Sequence, residues 1–347
     1  MVLSLVIKGQ PNEDAVLCTS DKTYTLRSVV LSNSVLVVTP PPAGSTTNSS
    51  NEDIVIRDQL HEVLELMPCL PKLQKLNGLL RGREYDEGQE ETEGMEDGME
   101  DDRPVKRPKF TYEDAREILQ ASDNELSRGL KEKRVLTLNG DLRPIAAPHL
   151  TTILELLLNY LVSLSLSHAS APVEELAAAL EDDHDIKRDI SRQVMTWFGE
   201  VKNGRWQLDV NTTIKEVGLG ILRTYKDDPI AEDEFLQKWR STVGDTFESI
   251  VDLKLLSGNY LTSPKPFTNP PVLMLVYFPA SALPPDPGAR FADLFLTRSR
   301  WKADDITPFL ADIVVDNKER DKLLLKFARA ITDSEGVWYT ARAKYNG

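Results

Sequence analysis

Cysteine is nearly absent: Cys18 and Cys69 are the only two in 347 residues. That excludes a disulfide framework and fits a reducing compartment. The four histidines lie far apart in sequence. His184, inside Asp182-Asp183-His184-Asp185, has no second ligand set at metal spacing, so neither a metal nor a cofactor is expected. A phosphate loop of the form GxxxxGK(S/T) is missing, and Gly218-Leu219-Gly220 lacks the third glycine and the preceding strand of a dinucleotide site. Nucleophile motifs built on Ser or Cys are missing as well. With these chemistries excluded, the chain is expected to act by binding, not as an enzyme. No apolar run approaches the ~20 residues of a membrane span, so no membrane partner is expected. Met1-Val2-Leu3-Ser4-Leu5-Val6-Ile7-Lys8 lacks the basic region and cleavage site of a signal peptide and reads as a strand.

What is abundant is acid, and it is concentrated. Glu84, Asp86, Glu87, Glu90, Glu91, Glu93, Glu96, Asp97, Glu100, Asp101 and Asp102 form one run, with glycines between them. These eleven carboxylates supply most of the formal charge of −14, leaving about −3 for the rest of the chain. Like charges at this density repel, and too little apolar surface is present to offset the entropy of ordering. Residues 83–109 therefore read as a disordered linker. Its basic end, Arg103-Pro104-Val105-Lys106-Arg107-Pro108-Lys109, suits a nuclear import signal carried by Arg103, Lys106, Arg107 and Lys109, which implies a nuclear protein.

Before the linker, residues 1–82 read as a strand-rich assembly module. Ala15–Thr19 and Thr23–Arg27 flank a turn at Ser20-Asp21-Lys22, Ser34–Val38 is a further strand, and Ile54–Ile56 is another. About five short strands cannot close a barrel alone, and their open edges call for a partner. A helix is expected from Leu70 to Leu80. After the linker, residues 110–148 form a short helical unit with a hairpin turning at Asn139-Gly140.

From there one plan recurs, in 149–210, 211–286 and 287–347. Each unit shows three helices followed by glycine, any residue and an aromatic on a strand: Gly204-Arg205-Trp206, Gly258-Asn259-Tyr260 and Gly336-Val337-Trp338. This is the pattern of a winged helix, whose third helix docks on DNA and whose following hairpin is the wing. The fold expected is thus α+β and multidomain, a strand-rich module followed by tandem, mainly α, winged helices. In the last unit a helix over 318–331 places Lys318, Lys322, Lys326 and Arg329 within about 80° of one another at 100° per residue. Leu324, Phe327, Ala328 and Ile331 take the other side, and Arg342 and Lys344 follow on the wing strand. Helix 186–199 carries Lys187, Arg188 and Arg192 outward. The third helix of the middle unit, expected over 246–256, has only Lys254 beside Glu248 and Asp252, which suits protein packing better than DNA. All five tryptophans are expected in the cores.

Several blocks together resemble a known family. Ser4-Leu5-Val6-Ile7-Lys8-Gly9, Ala15-Val16-Leu17-Cys18, Lys22-Thr23-Tyr24-Thr25-Leu26, Pro71-Lys72-Leu73-Gln74-Lys75-Leu76, Trp301-Lys302-Ala303-Asp304-Asp305-Ile306 and Gly336-Val337-Trp338-Tyr339 resemble, in order, the blocks of the DCC family, named for defective sister chromatid cohesion. The resemblance implies a non-catalytic subunit of the alternative, replication factor C-like clamp loader that acts on PCNA. In that family the N-terminal strands join a composite barrel with other loader subunits. The winged helices reach single- and double-stranded DNA and DNA polymerase epsilon. The chain is expected to begin at what is normally an internal strand of that pattern. The competing reading is a winged-helix transcription or chromatin factor, which would need Arg, Asn or Gln at base edges rather than lysines suited to phosphate.

Overall fold

In a computed structural model, residues 5–40, 54–86, 108–267 and 270–342 are described. The fold is mixed α+β, and the chain divides into two units: residues 1–76 with 113–128, and residues 77–112 with 129–347.

The first unit is built on a sheet of four antiparallel strands in sequence order: β1 (Val6–Lys8), β2 (Val16–Cys18), β3 (Thr23–Thr39) and β4 (Val55–Pro68). Two of these are far longer than the sequence suggests. The expected breaks after Arg27 and Ile56 do not occur, because β3 and β4 pair from Tyr24↔Pro68 to Thr39↔Val55 with two irregularities. Among the described residues no barrel is closed. At the foot of the sheet, Val16, Cys18 and Thr23 are buried. Residues 113–128 seal this end. The Thr23 hydroxyl donates to Glu125 at 2.6 Å, and the Gln120 amide donates to the Asp14 carbonyl at 2.6 Å. Higher up, the two-stranded ribbon has no cover among the described residues. Consecutive residues Val35, Leu36, Val37 and Val38 are all at least 40 % exposed, so both faces of the ribbon are open.

The helix expected over Leu70–Leu80 shrinks to α1 (Lys75–Leu79), which a Leu73-to-Pro71 backbone turn precedes. Then come α2 (Tyr112–Ile118), α3 (Asp123–Glu132) and the hairpin β5 (Val135–Leu138) and β6 (Asp141–Pro144). Asn139 and Gly140 both take positive φ (49° and 82°), as a two-residue hairpin turn requires. Order reaches into the start of the expected linker. Tyr85 is buried, its N–H donates to the Pro144 carbonyl at 2.7 Å, and Arg83 pairs with Asp141 at 3.2 Å. Residues 87–107, which hold most of the acidic run and Arg103, Lys106 and Arg107, lie outside the described residues. Lys109 is described: it is exposed, and its ammonium donates to the Asn139 carbonyl at 2.9 Å.

One topology then recurs three times: helix, short strand, helix, a second helical stretch, hairpin. The first copy is α4 (Ala147–Ser163), β7 (Ala171–Pro172), α5 (Val173–His184), α6 (Arg188–Trp197), β8 (Gly199–Lys202) and β9 (Arg205–Leu208). The second is α7 (Val210–Arg223), β10 (Ile230–Ala231), α8 (Glu232–Val243), β11 (Tyr260–Pro264) and β12 (Leu273–Tyr277). Here the expected helix 246–256 is replaced by two single 3₁₀ turns, 248–250 and 253–256. The Asp252 carboxylate caps the second by accepting from the Lys254 N–H, which breaks continuity. The third copy is α9 (Pro287–Thr297), β13 (Arg300–Lys302), α10 (Ala303–Ile306), two 3₁₀ turns, α11 (Asn317–Phe327), β14 (Ala328–Asp333) and β15 (Gly336–Ala341). In every copy the short strand pairs with the last strand, giving the orders β7-β9-β8, β10-β12-β11 and β13-β15-β14.

The first two copies share one hydrophobic core, running from Leu150 on α4 to Leu275 on β12. Gly218 and Gly220 make this possible. A Cβ on Gly218 would lie 2.4 Å from the Trp239 ring, and one on Gly220 would lie 2.4 Å from the Thr151 hydroxyl. The pair that resembles a fragment of a nucleotide motif is therefore a close-packing surface for α8 and α4. The third copy has its own core around Phe291, Trp301, Phe309 and Phe327. Arg290, 1 % exposed, ties it together: its guanidinium donates to the carbonyls of Pro284 (2.7 Å) and Phe309 (2.9 Å) and to Asp312 (3.0 Å).

Candidate nucleic-acid interface

Helix α11 begins at a reciprocal cap. Asp316 accepts from the Glu319 N–H at 2.8 Å, while the Glu319 carboxylate accepts from the Val315 N–H at 2.7 Å. One of the donors that a helix start leaves over, the Glu319 N–H, is thereby satisfied, and the Val315 N–H before the cap is tied back to the first turn. Leu324 and Phe327 then turn inward, and Phe327 stacks on Phe291 with ring centroids 5.2 Å apart. Lys318, Lys322 and Lys326 fall on the opposite side and are exposed. The helix ends at Phe327, so the expected 318–331 helix is four residues too long. Ala328–Asp333 pairs instead along β15, from Ala328↔Ala341 to Asp333↔Gly336. Arg329 is exposed on that strand and not on the helix, and Ile331, expected in the core, is 42 % exposed. Arg342 is exposed just past β15; Lys344 lies outside the described residues. Among the described residues, no carboxylate pairs with Lys318, Lys322, Lys326, Arg329 or Arg342.

Helix α6 is differently placed. Arg188 pairs with Glu181 of α5 at 2.5 Å, and Arg192 pairs with Glu174 at 2.6 Å and Asp189 at 3.2 Å. The hydrogen bond from Arg192 holds the Glu174 carboxyl below the usual carboxylate range. Lys187, at the N-cap, is engaged as well. Beside that stripe, the Gln193 amide accepts from the Thr137 N–H at 2.8 Å and donates to the Thr137 carbonyl at 3.1 Å, clamping α6 to β5. Arg188 and Arg192 of the outward stripe are thus neutralised by carboxylates, and Lys187 is not free.

The chain matches the family described as "Sister chromatid cohesion protein Dcc1" over residues 2–310. It belongs to the Dcc1 family. Similar proteins include the "Probable sister chromatid cohesion protein DCC1" of Dictyostelium discoideum, 26 % identical over 96 % of this chain and 87 % of that protein. The "Sister chromatid cohesion protein DCC1" of Xenopus tropicalis is 27 % identical, and that of Homo sapiens 26 %, each over 98 % of this chain and 84 % of the relative. The family is described as a cohesion protein and not by an enzymatic activity. The family match stops before α11, whereas the relatives align over nearly the whole chain.

Sequence reasoning missed one side chain. Trp197, Trp206, Trp239 and Trp301 are buried as expected, but Trp338 is only half-buried. On β15 it alternates with Tyr339, which packs on the core of the third copy, so Trp338 points to the opposite face of the sheet. The period-2 alternation of a strand was the available signal.

Proposed function

We propose that this protein is a non-catalytic subunit of the replication factor C-like clamp loader of sister chromatid cohesion, acting in the nucleus. The observation that carries the reading is the β3–β4 ribbon. An isolated two-stranded ribbon is at best marginally stable in water, and this one exposes apolar residues on both faces, Val30 at 79 % and Leu64 at 59 % on one and Met67 at 45 % on the other. Strands contributed by other loader subunits would cover both faces and complete a composite barrel. The three repeated copies are winged helices in this reading, and the loader's action on PCNA is reached through the partner subunits. The third copy meets DNA through phosphate, as its lysine-dominated α11 favours. The shared core of the first two copies leaves them as the rigid surface for DNA polymerase epsilon. Binding, holding the loader near DNA and polymerase, is the whole mechanism.

The test is assembly. Val30→Lys with Leu36→Lys changes only residues that are already exposed, so the chain stays folded while loader subunits no longer co-purify from nuclear extract. Unchanged co-purification would overturn the composite-barrel reading.

A further inference from the structure

We propose that the outward face of the β13-β15-β14 sheet is a stacking platform for unpaired bases of a single strand, centred on Trp338. The proposal rests on the reading of the third copy as DNA-binding and adds a second, chemically distinct surface to α11. Register fixes which side chains share the face. Lys302, Trp338 and Ile331 lie side by side across the three strands, and Arg300, Thr340 and Arg329 form the next row. The opposite face carries Trp301 and Tyr339 and belongs to the core.

The chemistry of these two rows is specific. The Arg300 guanidinium lies 4.2 Å from the Trp338 ring centroid, and the Lys302 ammonium 5.8 Å from it. Asp333 holds the pair in place, binding Arg300 and accepting from the indole N–H at 3.0 Å. A planar guanidinium on an indole is a stack already begun, and a base extends it on the outer face of either group. Asp333 at the ring edge repels phosphate, so the neutral base is favoured over the ring and the backbone is displaced outward. One row away, Arg329 is exposed with no carboxylate partner among the described residues, in position to meet that backbone. A duplex keeps its bases stacked inside and offers this face nothing except phosphate, so the platform selects single strands.

The other reading is a cross-strand pair that merely stabilises the hairpin. Intrinsic fluorescence of the full chain separates the two, because the other four tryptophans are 7 % exposed or less. Adding unlabelled oligo-dT should quench the exposed fraction of the emission, and a 20-base-pair duplex should not. In fluorescence anisotropy, Trp338→Leu should weaken labelled oligo-dT roughly fivefold or more while changing duplex affinity less than twofold; Trp338→Phe should keep most of the affinity. A thermal midpoint for each variant reports on folding, and the quench in the parent chain needs no variant. Oligo-dT binding without a quench, or equal binding by Trp338→Leu, overturns the platform while leaving the α11 reading intact. Failure of the parent to bind either probe overturns both.

Discussion

Helices α6 and α11 hold the same place in their copies, each leading into a β-hairpin, and both carry cations toward solvent. Around α6, the preceding helix α5 supplies Glu174 and Glu181 at ion-pair distance, and Gln193 is committed to β5. Around α11, the acids serve the helix itself: Asp316 and Glu319 form its cap, and Asp321 binds Arg320. Charge spacing along one helix therefore does not decide whether a stripe can meet phosphate. What decides it is which neighbours reach the stripe first. Exposed ion pairs add little stability, so the acids facing α6 matter less for the fold than for cancelling the local field.

The largest effect expected from this contrast is at α11. Replacing Lys318, Lys322 and Lys326 with Glu in the full chain should lower duplex affinity on the order of 100-fold. In the parent chain, three phosphates met by these lysines give a log–log salt slope of about −2.5. None of the three lysines faces the core, so the circular dichroism spectrum should not change. Anisotropy across a salt series checks both numbers, and a shallow slope near zero would remove α11 as a phosphate contact.

A second test separates the copies by their cores. Gly218→Ala forces a methyl group into the Trp239 ring, which cannot yield because its indole N–H donates to the Ile214 carbonyl at 2.9 Å. The cost should be about 3 kcal/mol, the upper end for overpacking. It falls on the core shared by the first two copies, whereas the third has its own. Thermal unfolding should therefore gain an early transition, with duplex binding retained below it. A loss of DNA binding in step with that early transition would place the interface in the first two copies.

The parts of this fold that were legible are those decided by local chemistry. Asn139-Gly140 marks its hairpin because few other pairs accept two positive φ values, and Gly204-Arg205-Trp206 and Gly336-Val337-Trp338 each open the last strand of a hairpin, whereas Gly258-Asn259-Tyr260 opens the first strand of its own. The long strand β4 was illegible past Ile56. Its stretch Arg57-Asp58-Gln59-Leu60-His61-Glu62 alternates poorly, because a ribbon with two open faces has no core to impose a period. The end of α11 was misjudged for a related reason: Arg329 and Ile331 fit a helical face and a strand face equally well, and only pairing with β15 chooses. The neutralisation of α6 depends on α5 approaching it, and contacts of that kind have no signature in spacing. Trp338 shows the same limit for single residues, since composition sends tryptophan to the core while register turns this one outward.

The smallest effect is the one that tests the contrast most directly, because it asks for a gain. If α6 is silent only because its cations are paired, removing the partner charges should let it speak. Glu174→Gln with Glu181→Gln leaves Arg188 and Arg192 in place, frees Arg188 and leaves Arg192 with Asp189 alone. Asp189 still holds Arg192 and β5 stands beside the stripe, so the gain in duplex affinity should be about two- to threefold at low salt, fading as salt approaches ~0.15 M. Acid offers a second route to the same state. The Glu174 carboxyl is held below the usual carboxylate range by Arg192, so its pairing persists above that range and is lost only as pH falls through the lowered value. Between pH 5.5 and 8 the contribution of α6 should stay flat in the parent chain. A double variant that binds no better than the parent at low salt would mean that the neighbouring hairpin, and not charge pairing, keeps α6 from DNA.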